Sequence, residues 1–228
     1  MTKNSTHNNQ TSSGDKIFDY WDEFYKKKSK RIPSQFAAFV ASDLKTPHLI
    51  LDFGCGNGRD SFFFVQNGHS SIGFDASKTA IKSNEGDARE KNLEHLEFRQ
   101  FTVGEDDLET IFQSKVLEPF SGLPIVLYSR FFLHAIQEEH EHHFLSNIKQ
   151  VASRFSKIYF EYRESRDEGL NKIYGDHYRR FINADNVAKN LCQEHAIKLD
   201  YQIIGQGFAK FGQEDPWIAR QVFSISSL

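Results

Sequence analysis

The sequence is poor in the residues that support a secreted, disulfide-built or cysteine-metal protein. Its 228 residues include only two cysteines, Cys55 and Cys192. Two cysteines provide neither a disulfide framework nor a cysteine-based zinc site. Because disulfides form mainly in oxidising compartments, this composition favours a cytoplasmic protein.

Long apolar runs and an excess of basic charge are also missing. No stretch approaches the roughly 20 apolar residues of a membrane helix. Residues 1–14 are rich in Asn, Ser and Thr and lack the apolar stretch of an export signal, which predicts a disordered tail. The 28 basic and 31 acidic residues give a formal net charge of -3. No membrane and no nucleic-acid partner is therefore expected.

What the chain does contain is an alternation of strand-like and helix-like segments. An amphipathic stretch over residues 15–30 carries aromatic side chains at helical spacing. Pro33 and Ser34 then introduce a helix over residues 35–43. Strands are predicted at 48–53, 71–74, 96–102, 124–128, 157–162, 198–205 and 217–226, and helices at 61–67, 77–84 and beyond, 106–114, 137–153 and 183–194.

This order predicts an α/β fold, a Rossmann-like three-layer sandwich with a mainly parallel seven-stranded sheet. The last two strands have no helix between them, so we expect an antiparallel C-terminal hairpin at one edge. The length suits a single domain over residues 15–228. Within it, residues 15–45 are a candidate lid and residues 163–182 a substrate-side insertion.

The most informative segment is Leu51-Asp52-Phe53-Gly54-Cys55-Gly56-Asn57-Gly58-Arg59-Asp60, between the first strand and its helix. Its glycines allow a sharp turn and a close approach to a ligand. The dinucleotide pattern fails, because Arg59 stands where its last glycine belongs. A carboxylate at Asp52 would repel a pyrophosphate but suits a ligand with a cationic part. Asp75 ends the second strand about twenty residues further on, where an acid meets ribose hydroxyls.

This segment resembles motif I of class I S-adenosylmethionine-dependent methyltransferases. The run Gly-Cys-Gly-Asn-Gly-Arg-Asp-Ser is similar to that of the tellurite-resistance and thiopurine methyltransferase group. Three later segments, after the fifth strand, at 174–181 and at 214–216, resemble methyltransferases of bacterial surface-polysaccharide clusters more faintly. The resemblance implies S-adenosylmethionine as the cofactor, bound in its first part by Asp52, Gly54, Cys55, Gly56, Gly58, Asp75 and Ala76.

The resemblance also implies cofactor contacts from two later loops. An acid after the third strand would accept from the adenine amino group, and Glu105, Asp106 and Asp107 are the candidates. Asp106 is equally suited to cap the next helix. Ser129 and Arg130 follow the fourth strand, where the family's loop passes the methionine part. Trp21 and Tyr25 either fold over the cofactor or simply pack an amphipathic helix.

The substrate of such a fold lies beyond the C-terminal ends of the strands, where arginines gather in this sequence. The arginine fork suits carboxylates and phosphates. One hypothesis is therefore a small anionic acceptor, namely a carboxylate, a phosphate or a phosphorylated sugar. Its contacts would come from Tyr25, Arg163, Tyr178, Arg179 and Arg180. In the alternative, the arginines pair with the nearby acids Glu161, Glu164, Asp167 and Asp176.

Methyl transfer from a sulfonium is an in-line displacement that depends mainly on proximity and alignment. A hydroxyl acceptor would also use a general base, for which His134 is the first candidate and His177 the second. His134 lies in an apolar stretch and equally fits a core histidine. The run His140-Glu141-His142-His143 has no pair of histidines four residues apart, so no metal is predicted.

Other functions are weighed against a small-molecule methyltransferase. Asp52 and Arg59 disfavour a nicotinamide oxidoreductase. A non-catalytic subunit that binds S-adenosylmethionine and a protein methyltransferase stay open as alternatives. Tyr128-Ser129-Arg130-Phe131 stands where an amino-methylating nucleic-acid enzyme carries Asn-Pro-Pro-Tyr, which disfavours that class. No oligomeric state is predicted.

Overall fold

A computed structural model describes residues 20–26, 30–170, 172 and 178–226. The predicted tail over residues 1–14 and the candidate base His177 lie outside the described residues. The first helix, α1, is described over residues 20–25. No helix among the described residues combines the length and the apolar character needed to cross a membrane.

The elements after α1 follow the predicted alternation. In chain order they are α2 (Gln35–Asp43), β1 (Leu49–Phe53), α3 (Arg59–Gln66), β2 (Ser70–Asp75), α4 (Lys78–Glu90), β3 (Leu96–Gln100), α5 (Leu108–Gln113), β4 (Ile125–Arg130), α6 (Glu138–Gln150), β5 (Lys157–Arg163), α7 (Ala184–Leu191), β6 (Ile197–Gly205) and β7 (Ile218–Ile225). Short 3-10 helices lie over Lys115–Phe120, Leu133–Ala135, Ala152–Arg154 and Ser165–Asp167.

The seven strands form one sheet in the order β3-β2-β1-β4-β5-β7-β6. The first five strands are parallel, and β7 runs antiparallel to both β5 and β6. The predicted Rossmann-like fold with a C-terminal antiparallel hairpin is therefore confirmed. The strand order reverses between β1 and β4, which opens a crevice at their C-terminal ends.

Helices cover both faces of the sheet because the strand residues are apolar on both sides. On β1, Leu49, Leu51 and Phe53 belong to a core packed against α5, α6 and α7. Ile50 faces the other way, into a core shared with α2 and α3. A third cluster joins Phe62 of α3 to α4 and β3.

Two helices begin at side chains that cap them, one of them the predicted Ser34. Ser34 caps α2, with its Oγ accepting from the N–H of Ala37, and Asn183 caps α7 in the same way. The alternative that Asp106 caps the next helix is wrong, because Asp107 stands at the N-cap of α5. β3 ends earlier than predicted, at Gln100, since the N–H of Thr102 donates to the Asp106 carboxylate within the following turn.

Candidate active site

The glycine loop leaves β1 at the switch point of the sheet and is tied to β2. The amides of Gly54 and Cys55 both donate to the carbonyl of Phe74, at 2.8 and 3.0 Å. Gly56 has a φ of 54°, and a Cβ on it would lie 2.9 Å from the Tyr25 ring carbon Cζ. A side chain at residue 56 would therefore need both a strained backbone and a different position for Tyr25. The buried Cys55 thiol packs beneath the loop, and burial raises its pKa well above the usual value.

Asp75 at the end of β2 joins its strand to this loop. Its Oδ2 accepts from the N–H of Gly56 at 2.8 Å, and its Oδ1 accepts from the N–H of Ser77 at 2.9 Å. Burial raises the pKa of Asp75, although these two hydrogen bonds act in the opposite direction. Ala76 follows it in a half-buried position. The structure thus brings the predicted ribose acid and the predicted loop into direct contact.

Asp52 lies beneath the loop and is buried. Its Oδ2 accepts from the Ser61 hydroxyl at 2.6 Å. Burial, assisted by the neighbouring Asp60 carboxylate, raises the pKa of Asp52 to about 8. A cation placed beside this group would favour its ionised form, in line with the role expected from the sequence.

Helix α1 lies across the same loop. The Tyr25 hydroxyl contacts Gly56, and burial followed by the Asp75 carboxylate raises the pKa of Tyr25 well above its usual value. Asp22, one turn earlier, accepts a hydrogen bond from the Ser77 hydroxyl. Trp21 stacks on Tyr25 with ring centroids 6.0 Å apart. The helix therefore covers the glycine loop, as a lid would.

The three acids after β3 are all exposed but differ in their contacts. Asp106 folds back on the turn through its bond to the N–H of Thr102, at 2.8 Å. Asp107 lies 3.1 Å from Nε2 of His143. Glu105 is exposed. The turn also contains Gly104, where a Cβ would lie 2.7 Å from the ring of His140.

Residues at the end of β4 are held by neighbouring strands. The buried Ser129 hydroxyl donates to the carbonyl of Phe53 at 3.1 Å. Arg130 donates from Nε to Glu161 at 2.7 Å, and Arg220 donates to the other oxygen of Glu161 at 2.5 Å. Phe131 follows with a φ of 54°, and the Arg130 guanidinium lies 4.1 Å from its ring centroid. Such a backbone is unfavourable for a bulky residue and is commonest at functional sites.

The predicted acceptor arginines after β5 are only partly available. Arg163 donates to Asp167 at 2.6 Å and to Glu214 at 2.5 Å. It therefore pairs with acids of the chain, as the alternative to an acceptor contact expects. Arg180 pairs with Glu141 at 2.6 Å. Arg179 lies near Arg163, and burial together with that cation lowers its pKa. Tyr178 is 41% exposed at the rim.

His134 is buried, and its Nδ1 accepts from the backbone N–H of Arg163 at 3.1 Å. A ring nitrogen that accepts an amide proton carries none of its own, so neutral His134 is protonated on Nε2. This makes Nε2 a donor and favours the core-histidine alternative over a general base.

The histidines of α6 are used in different contacts. His140 packs on Gly104, and His143 meets both Asp107 and Asn147. Within the described part of the chain, no group of three His, Cys, Asp or Glu side chains is arranged to hold a metal ion.

The sequence also contains an anchoring residue that its pattern did not identify. Asp60, in the first turn of α3, accepts from the N–H of Ser34 at 2.8 Å and from the Tyr128 hydroxyl at 2.7 Å. It joins α2 and β4 to the helix that follows the glycine loop. An acid in the first turn of a helix is common, so its position alone does not indicate these distant partners.

Comparison with known proteins agrees with this geometry. Residues 47–127 match the family model described as a methyltransferase domain. Over 83 residues, the chain is 31% identical to 2-heptyl-1-hydroxyquinolin-4(1H)-one methyltransferase of Mycobacteroides abscessus. The aligned segment covers 34% of this chain and 35% of that protein. The chain thus matches only about a third of the length of this curated relative. The matched family segment contains β1 to β3 and the first half of β4, with the glycine loop and Asp75.

Solved structures share the fold over almost the whole chain. A methyltransferase from Anabaena variabilis, dependent on S-adenosylmethionine, has a TM-score of 0.68 at 16% identity and covers 95% of this chain and 96% of its own. Magnesium protoporphyrin IX methyltransferase from Synechocystis, with bound S-adenosylhomocysteine, has a TM-score of 0.59 at 13% identity, with coverage of 96% and 90%. The fold is the one that these methyltransferases share, and residues 47–127 are similar to a methyltransferase domain. The predicted enzyme class and the predicted cosubstrate, S-adenosylmethionine, agree with these matches.

Proposed function

We propose that this protein transfers a methyl group from S-adenosylmethionine to a small acceptor beyond the ends of β4 and β5. The observation that carries the proposal is the contact between Asp75 and Gly56, at 2.8 Å, inside the segment that matches a methyltransferase domain. This hydrogen bond joins the proposed ribose acid to the glycine loop proposed for the rest of the nucleoside. S-adenosylmethionine, when bound, supplies the activated methyl group.

We further propose that the acceptor is anionic. Arg163, Lys172 and Arg179 bring three cations together at the end of β5, where Asp167 pairs with Arg163 and Lys172, and Glu214 pairs with Arg163. Arg179 is half-buried beside Arg163, and an anionic acceptor there would offset the repulsion between the two cations. The lowered pKa of Arg179, caused by burial and by Arg163, has the sign expected of that repulsion. Arg179 is therefore our candidate for the acceptor contact.

The chain's contribution to the reaction is alignment. A carboxylate or phosphate acceptor is already nucleophilic, so no proton has to be removed from it. This agrees with His134, whose Nδ1 is engaged by the Arg163 amide. His177 stays a candidate base for a hydroxyl acceptor. The held backbone of Phe131 and the docked α1 are the features that would align an acceptor and exclude water.

A small molecule is favoured over a protein as acceptor. The relative from Mycobacteroides abscessus is named for a small hydroxyquinolone substrate. Assignment to the tellurite-resistance and thiopurine group and a cytoplasmic location stay predictions, as does the absence of a nucleic-acid partner.

Calorimetry with S-adenosylmethionine, S-adenosylhomocysteine and NADH tests the cofactor. We expect micromolar binding of both adenosyl compounds, its loss in Asp75→Ala, and no binding of NADH. Failure of both adenosyl compounds to bind would refute the proposal. Binding without methyl transfer to any screened small molecule or protein would indicate a non-catalytic partner subunit.

The acceptor proposal has its own test. Arg179→Met should raise the KM of charged acceptors by about tenfold or more, while neutral analogues change little. Arg99→Met, on the exposed Arg99 of β3 that pairs with Glu97, is the control. Equal effects of Arg179→Met on charged and neutral acceptors would contradict an anionic acceptor.

A further inference from the structure

The segment that leads into α2 contacts the glycine loop and the helices beside it at four points. Asp22 meets Ser77, and Tyr25 meets Gly56. Arg31 donates to the carbonyl of Asn57 at 2.6 Å, and the Ser34 amide donates to Asp60 at 2.8 Å. We call the described residues 22–26 and 30–34 the strap. Among these four contacts, that of Arg31 is a side-chain hydrogen bond to a backbone carbonyl of the loop.

Arg31 is fixed on several sides. Its Nε donates to the carbonyl of Asn57, and its terminal nitrogen donates to Oδ1 of Asn84 at 3.0 Å. The same nitrogen lies 2.7 Å from Asp87, and the guanidinium lies 4.3 Å from the ring centroid of Phe62. The side chain is only 20% exposed. The planar guanidinium of Arg31, held in this way, has little freedom to turn, so the Asn57 carbonyl that it binds is held as well.

Asn84 extends this hold to the preceding residue of the loop. It comes from α4, is fully buried, and donates from Nδ2 to the carbonyl of Gly56 at 2.8 Å. Two consecutive loop carbonyls, of Gly56 and Asn57, are therefore each bound by a side chain from outside the loop. Because the peptide unit is planar and trans, fixing a carbonyl also fixes the direction of the N–H that follows it.

We propose that Arg31 and Asn84 are positioning residues of the cofactor loop, which orient its peptide planes for the amino-acid part of the bound nucleoside. The inference rests on the proposed function for the identity of the ligand. It adds that the strap sets the geometry of the loop in addition to covering it. Neither residue touches the reacting atoms, and both act through the backbone of residues 56–58.

The test compares two variants that break contacts with the loop, Arg31→Met and Asn84→Asp, with two controls, Asp87→Asn and Arg99→Met. Asp87→Asn removes the ionic partner of Arg31 but leaves both of its hydrogen bonds to the loop and to Asn84. Arg99→Met removes an exposed arginine elsewhere. Asn84→Asp keeps an acceptor for Arg31 but replaces the donor to Gly56 with an oxygen. Calorimetry then measures S-adenosylhomocysteine and 5′-methylthioadenosine, which lacks the amino-acid part.

We expect Arg31→Met and Asn84→Asp to weaken the binding of S-adenosylhomocysteine by about tenfold or more. The affinity for methylthioadenosine should change by less than about twofold in both variants. Both control variants should bind the two ligands like the unmodified protein. Equal weakening of the two ligands would indicate general loosening of the fold and would overturn the inference. The inference would also be overturned if Asp87→Asn bound S-adenosylhomocysteine as weakly as Arg31→Met, because the ion pair rather than the backbone contact would then be responsible.

A second measurement needs no ligand and separates the inference from the proposed function. Amide hydrogen exchange at residues 56–58 should be faster in Arg31→Met than in Arg99→Met, at matched thermal stability. If the unmodified protein binds no adenosyl compound, the proposed function fails while this measurement still decides whether Arg31 orders the loop. Unchanged exchange would refute the positioning role.

Discussion

The carboxylate of Asp75 holds the backbone amide of Gly56 at 2.8 Å while its other oxygen holds the amide of Ser77 at 2.9 Å. One side chain at the end of β2 thus braces both the glycine loop of β1 and the turn into α4. In the proposed complex the same carboxylate also meets the ribose. Its substitution should therefore affect the loop and the ligand together.

Asp75→Asn tests this double role. An amide can accept at only one of its two ends, so its NH2 group must face either the Gly56 or the Ser77 N–H. We expect S-adenosylhomocysteine affinity to fall by at least about tenfold, despite the similar shape of the side chain. Calorimetry measures it, with Asp200→Asn on the surface of β6 as control. Affinity equal to that of the control would show that neither acceptor oxygen is needed.

Stability should depend on pH through Asp52. Burial and the Asp60 carboxylate raise its pKa from the ordinary 3.8 to about 8, so between these values the folded protein keeps a proton that the unfolded chain releases. The unfolding free energy should then fall as the pH rises through this window and level off above it. Asp75, whose pKa is also raised by burial, acts with the same sign.

Urea denaturation at a series of pH values measures this dependence. Asp52→Asn should flatten the slope without removing it, because Asp75 remains. Asp43→Asn is the matched control. Although burial acts to raise the pKa of Asp43, hydrogen bonds from Lys157 and Tyr159 leave it lowered, so its contribution is lost only in acid. A slope unchanged by Asp52→Asn would show that Asp52 is ionised in the folded protein.

Gly56→Ala should undock α1. The residue has a φ of 54°, and an added Cβ would meet the Tyr25 ring. The chain has two tryptophans, so a Trp217→Phe background leaves Trp21 of α1 as the only one. We expect its emission to shift to longer wavelength in Gly56→Ala as the ring becomes more exposed.

Gly86→Ala is the control for this prediction. Gly86 lies within α4, and a Cβ there meets nothing within 4 Å. Alanine should stabilise this helix by about 0.5–1 kcal/mol and leave the Trp21 emission unchanged. An unshifted emission in Gly56→Ala would mean that α1 does not depend on the glycine loop for its position.

The fold and the contact of the glycine loop with Asp75 could be predicted because their signals are local. Gly54, Gly56 and Gly58 lie within a few residues of one another, and Asp75 is at a fixed distance along the same β-α-β unit. The C-terminal hairpin follows from a connection without a helical pattern, between Gly205 and Ile218.

The partners of the arginines could not be predicted, because they come from distant parts of the chain. Arg163 and Glu214 are separated by 51 residues, and Arg31 and Asn84 by 53. Only the sheet order, with β7 beside β5, brings Glu214 to Arg163. The expectation that Arg163 meets the acceptor was reasonable from its place after β5, but the chain supplies its own carboxylates there.

That pairing makes Arg163 and Arg179 distinguishable by experiment. Arg163 is 8% exposed and lies between two carboxylates that are 1% and 8% exposed, so Arg163→Met removes a cationic partner from both, although Asp167 keeps Lys172. Breaking such a pair should lower the unfolding free energy by about 3–5 kcal/mol. Arg179→Met instead removes a half-buried arginine whose charged form is disfavoured by burial and by Arg163, and we expect a much smaller loss. Urea denaturation of the two variants measures the difference. Equal losses would show that Arg179 stabilises the fold as much as Arg163 does, and would contradict its assignment to the acceptor contact.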